Sequence, residues 1–136
     1  MSRRSAYGHT TYVSTLAPGD AVDASTDGTT VDRMQGLNAY RSAMLVVHVG
    51  TVTDGTHAVK IQVSDNGSDW SDAPASDLQG SAISVTSAND DAVYTLGYNG
   101  SARYMRAAVT VSGAPETGGV YCAGFVLSEP RRTPRA

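Results

Sequence analysis

At 136 residues, with 40% hydrophobic positions that are mostly Ala and Val, 14 glycines and one cysteine, the chain fits a single domain around one core and cannot close an internal disulfide. No apolar run approaches the roughly 18 residues of a membrane helix, and none follows the charged Met1–Arg4 start, so neither a bilayer span nor a signal peptide is expected. The formal charge is −3, but five of the ten basic residues, Arg3, Arg4, Arg131, Arg132 and Arg135, sit at the ends and leave an acidic body, which argues against a nucleic-acid-binding face.

Along the chain the pattern is that of short strands and tight turns. Residues 1–8 read as an N-terminal arm, 9–128 as the folded domain and 129–136 as a basic C-terminal arm. His9 to Leu16 has strand composition, and Pro18-Gly19-Asp20 turns the chain. After a weakly patterned stretch, Thr29 to Met34 fits a short strand. Gln35 to Ser42 is the one stretch suited to a helical turn and reads as a loop crossing the domain. Ala43 to Val49 is apolar at consecutive positions, the pattern of a strand covered on both faces. The Asp54-Gly55 turn then leads to Val59, Ile61 and Val63 alternating with Lys60, Gln62 and Ser64, a half-buried strand. The two read as a pair, with Leu45, Val47, Ile61 and Val63 in the core.

Asp65-Asn66-Gly67-Ser68-Asp69-Trp70 is a tight turn. Ile83 and Val85 mark a short strand, and Tyr94, Leu96 and Tyr98 share one face of another. Asn99-Gly100 reads as a hairpin-type turn. From Arg103 to Val111, Met105, Ala107, Val109 and Val111 face one way and Tyr104, Arg106, Ala108 and Thr110 the other. Val120 to Leu127 is again apolar on both faces, with Val120 and Val126 assigned to the core. Pro130 and Pro134 bracket a tail unsuited to pairing. Seven to nine strands without alternating helices exclude a βαβ architecture and predict an all-β antiparallel sandwich, a jelly roll being one form of it, with extended arms at both ends.

Chemistry-bearing constellations are sparse. His9, His48 and His57 are scattered; His48 and His57 flank one loop, yet no acidic or cysteine spacing completes a zinc site. Asp65, Asp69 and Asp72 lack the glycine and glutamate positions of an EF-hand loop. The turn ending in Trp70 resembles the Asp-box hairpin of sialidases, but Val63 stands where that motif carries serine, and it occurs once. Cys122 lies in an apolar run and reads as a small buried hydrophobe. Asp90 and Asp91 are neighbours in a turn and point apart. No catalytic residue, metal ligand or cofactor site is assigned, and the chain reads as non-enzymatic. Seven tyrosines suit either core edges or a contact surface for protein or carbohydrate.

Three segments carry a resemblance. They are Val49-Gly50-Thr51-Val52-Thr53-Asp54-Gly55-Thr56-His57 with Lys60 to Asp65, Gly97 to Arg106, and Thr117-Gly118-Gly119-Val120 with Pro130-Arg131-Arg132. Together they are similar to small structural proteins of tailed bacteriophages and prophages. The resemblance implies a virion component made in the bacterial cytoplasm, foremost a capsid decoration (cement) protein that binds the major capsid protein, with self-association as a trimer or other oligomer, and no membrane or nucleic-acid partner. A head–tail connector or tail component, and a glycan-binding adhesion module, are the alternatives. The five terminal arginines are the expected capsid contacts, since guanidinium groups pair bidentately with carboxylates.

Overall fold

A computed structural model describes residues 6–35 and 38–130. One helical turn, α1 (Ala6–His9), precedes twelve strands: β1 (Thr10–Leu16), β2 (Thr26–Asp27), β3 (Val31–Asp32), β4 (Met34–Gln35), β5 (Asn38–Val52), β6 (Thr56–Ser64), β7 (Ser71–Asp72), β8 (Leu78–Gln79), β9 (Ile83–Val85), β10 (Val93–Tyr98), β11 (Tyr104–Ser112) and β12 (Gly119–Pro130). They form two six-stranded antiparallel sheets. The first runs β1-β12-β5-β10-β8, with β4 also on β5; the second runs β2-β11-β6-β7, with β3 on β11 and β9 on β6. The all-β sandwich expected from the alternation is the observed architecture.

The inner faces meet in one core. Leu45, Val47 and Val49 of β5, Leu96 and Tyr98 of β10, and Ala123, Phe125 and Leu127 of β12 pack with Val59, Ile61 and Val63 of β6 and Met105, Ala107 and Val109 of β11. Full burial of each large side chain here contributes about 1.5–3 kcal/mol. A bulge ties the two sheets together at one edge. The β1–β12 register shifts between Ser14 and Leu16, which turns the 2%-exposed Thr15 inward. Its hydroxyl donates to the Thr29 carbonyl at 2.7 Å and accepts from the Ala107 N–H at 3.2 Å. An unpaired polar group at this depth would be costly, so the bulge depends on both partners.

Four local readings are corrected. First, β5 and β6 are not a hairpin: β5 lies between β12 and β10, β6 lies beside β11, and the Asp54-Gly55 turn carries the chain from one sheet to the other, as the Asn99-Gly100 turn does between β10 and β11, which are not a hairpin either. Second, the stretch read as a crossing loop forms a two-stranded ladder, with Met34 opposite Ala39 and Gln35 opposite Asn38. Third, Ala43–Val49 is covered on one face only, since Met44 is 37% exposed while Leu45 and Val47 are fully buried. Fourth, β12 has the opposite phase to the one assigned: Val120 is exposed and Val126 half-buried, whereas Tyr121, Phe125 and Leu127 point inward. In addition, Pro130 is the last described residue of β12, opposite Tyr40; having no N–H, it can take part in that ladder only as an acceptor.

Candidate interaction surface

The outward positions of the first sheet form rows across its strands. Thr10, Ser128 and Ser42 lie opposite one another; Tyr12, Val126, Met44 and Gly97 make the next row; Ser14, Gly124, Val46 and Thr95 the third; Cys122, His48 and Val93 the fourth. No Asp, Glu, Lys or Arg occurs in these rows, although 17% of the chain is charged. Several apolar side chains stand clear on this face: Tyr12 is 54% exposed, Val93 56% and Val120 42%. Gly124 belongs to the surface as well, because a side chain there would overlap the Tyr12 ring that lies across it. Isolated exposed hydrophobes are ordinary. An uncharged sheet face with Tyr12, Met44 and Val93 exposed together is a candidate contact surface.

The second sheet presents the reverse. Its outward rows are Arg106, Gln62 and Asp72; Asp27, Ala108 and Lys60; and Thr110, Ala58 and Ser84. Here the side chains are cross-linked. Arg106 gives Nε and Nη2 to the Gln62 Oε1 at 3.0 and 2.8 Å, pairs with Asp27 at 3.3 Å and lies over the Trp70 ring at 4.4 Å from its centroid. Gln62 in turn donates to Asp72 at 3.2 Å, which also takes Lys60 at 3.1 Å. The Gln62 and Lys60 donors hold the Asp72 carboxyl below the usual carboxylate range.

The residues singled out in the sequence fall in separate places. His48 is on the uncharged face, directly opposite Cys122, while His57 is fully buried between the sheets; the two are not brought together. His57 is satisfied there by the Tyr121 hydroxyl at 3.0 Å from Nδ1 and the Asp54 carbonyl at 3.1 Å from Nε2. Burial pushes the Tyr121 hydroxyl up to about 12, so it enters that contact protonated throughout the physiological range. The Asp54 carboxylate accepts the N–H groups of Gly118 at 2.6 Å and Glu116 at 2.9 Å, which, led by Gly118, holds its pKa below the ordinary value.

Cys122 is half-buried on the outward side, not a core residue. The turn before Trp70 satisfies itself: the Ser64 hydroxyl accepts from the N–H of Gly67, and the Asn66 side-chain oxygen accepts from those of Ser68 and Asp69. Among the described residues no group of three His, Cys, Asp or Glu is arranged to hold a metal, and no helix is long and apolar enough to cross a membrane.

Arg3, Arg4, Arg131, Arg132 and Arg135 lie outside the described residues. The points where their segments join the body do not. Thr10 sits opposite Ser128 at one corner of the first sheet, so both arginine-bearing segments join the sandwich at the border of the uncharged face. The face itself escaped the sequence reading; its signal was the lack of charge at alternate positions of β5 and β12. The fold and surface together define an all-β sandwich with one uncharged and one polar outer face. No protein-family model matches the chain, and no curated protein matches it.

Proposed function

We propose that the protein is a non-enzymatic virion component, a capsid decoration protein that binds the major capsid protein lattice. The observation that supports this best is the uncharged outer face of the first sheet, with both basic segments joined at its corner. The resemblance to phage structural proteins points the same way. An uncharged face with Tyr12, Met44 and Val93 exposed supplies contact area, and arginines at its border supply orientation through ion pairs, each of which is modest at an exposed rim. A compact body without disulfides suits folding in a reducing cytoplasm.

The test is a pelleting assay with undecorated phage heads. Wild-type protein is expected to sediment in constant proportion to the major capsid protein. The Met44→Lys/Val93→Lys pair places two charges on the proposed contact and is expected to abolish sedimentation while leaving the thermal melt of the free protein near that of wild type. If the double variant decorates heads as wild type does, the uncharged face is not the contact.

A further inference from the structure

The polar face of the second sheet contains a depression of about 420 Å³, lined by Ser25, Asp27, Lys60, Gln62, Ala108 and Thr110 among others. Its origin is a register effect. Ala108 faces outward in the middle of β11, with Asp27 of β2 on one side and Lys60 of β6 on the other. The next outward positions along β11 are the larger Arg106 and Thr110. One methyl group amid longer side chains leaves a shallow hollow open to solvent, floored by Ala108 and rimmed by polar groups.

We propose that this hollow is a binding site for a neutral saccharide. The lining decides the ligand class. Asp27 is paired with Arg106 and Lys60 with Asp72, so the two charges on the lining are each offset and neither an anion nor a cation finds an excess of opposite charge. Apolar ligands would strand the hydroxyls and the amide around the rim. What remains is a molecule that donates and accepts at closely spaced points and has a small apolar patch. A sugar ring meets both demands: its hydroxyls match the Ser25 and Thr110 hydroxyls, the Lys60 ammonium protons not given to Asp72 and the Asp27 lone pairs not given to Arg106, and its C–H face matches the Ala108 methyl and the aliphatic stem of Lys60.

The network beneath the rim supports the same conclusion. Exposed ion pairs contribute little to stability, yet Arg106, Gln62, Asp72 and Lys60 form an unbroken chain of hydrogen bonds anchored on Trp70. Such cross-linking fixes rotamers before a ligand arrives and so lowers the ordering cost of binding. Ser25 is fixed in a similar way, its hydroxyl accepting the Val111 N–H at 2.9 Å. The hollow and the uncharged face are on opposite sides of the sandwich. A particle-bound copy would therefore leave the hollow open to solvent, but the saccharide site does not rest on capsid attachment.

The test is a ¹H–¹⁵N NMR titration of the full-length chain with lactose, maltose, trehalose and N,N′-diacetylchitobiose, and with sialyllactose as an anionic control. At least one neutral disaccharide is expected to shift the amides of residues 25–27, 60–62 and 108–110, and to shift them identically in Met44→Lys, which alters only the opposite face. Thr110→Arg and Gln62→Leu, both on the solvent side, are expected to lose the effect while the rest of the spectrum stays in place. The inference fails if no neutral sugar moves these amides, if only sialyllactose does, or if the shifts persist in both variants.

Discussion

At the scale of single residues, the turn between the two sheets depends on Asp54. Its carboxylate gathers the backbone N–H groups of the loop before β12, while its carbonyl receives His57. A carboxylate accepting backbone N–H bonds is favoured in its charged form, and the pKa of Asp54 is accordingly lowered, with Gly118 the leading cause. The unfolded chain binds a proton at Asp54 more readily than the folded one does. The stabilisation is therefore fully present above the ordinary carboxylate range and is lost as pH falls through the lowered folded value. Asp54→Asn keeps an acceptor oxygen but removes the charge. Its melting temperature is expected to fall short of wild type at neutral pH, with the gap closing in acid; a pH series of thermal melts checks this, and a gap independent of pH would show that charge is irrelevant there. Nearby, Gly118 has φ of +82° and approaches the Val22 carbonyl too closely for a side chain. Gly118→Ala should destabilise through both effects, by more than the ~1 kcal/mol typical of a mutation, as read from urea midpoints.

At the scale of elements, β12 separates its two faces sharply. Phe125 is fully buried at the centre of the core and Val120 is on the surface. Phe125→Ala should cost about 3–5 kcal/mol through lost transfer energy and the cavity left behind, whereas Val120→Ala should stay within about 0.5 kcal/mol; equilibrium unfolding of the two variants checks the phase of the strand. That phase was not legible in the sequence, and the reason is physical. Alternation reveals the inner face only where the outer face is polar. Along β6 and β11 it is polar, with Lys60, Gln62, Arg106 and Thr110 outside, and the inward set was read as it stands. Along β5 and β12 the outward positions are Ser42, Met44, Val46 and His48, and Val120, Cys122, Gly124, Val126 and Ser128; with Met44, Val46, Val120 and Val126 among them, apolar residues do not single out one phase. The same feature that hid the phase is the candidate contact surface. The misplaced β5–β6 pairing has another origin. A short Asp-Gly turn serves a hairpin and a sheet-to-sheet crossing equally well, and the difference is made by β11, more than forty residues downstream, which takes β6 as its neighbour.

At the scale of the molecule, one end of the strands is purely acidic in its loops. The end where β1 and β5 finish and β6 and β12 begin carries Asp20, Asp23, Asp54, Asp90, Asp91 and Glu116 in its loops and no Lys or Arg. The opposite end mixes signs: Arg33, Arg41 and Arg103 stand among Asp32, Asp65, Asp69, Asp77 and Glu129, with Arg103 paired to Asp32, and both segments bearing the five terminal arginines join there. The chain's net charge of −3 includes those five arginines, so without them the body is strongly acidic, and any net positive charge at this end comes from the terminal segments. If the terminal arginines and the uncharged face act together on a capsid, they separate by salt. Ion pairs at a rim are screened over a Debye length of about 8–10 Å at 0.1–0.15 M salt, while burial of apolar surface is not. Removing residues 1–5 and 131–136, which keeps Pro130 opposite Tyr40, is therefore expected to weaken sedimentation with heads at low salt and to flatten its dependence on salt. The Met44→Lys/Val93→Lys pair is expected to weaken it at every salt concentration. Titrating salt in the pelleting assay reads both slopes. If the truncated protein keeps the wild-type slope, the terminal arginines do not touch the partner, and the electrostatic share of binding must come from Arg33, Arg41 and Arg103 on the body.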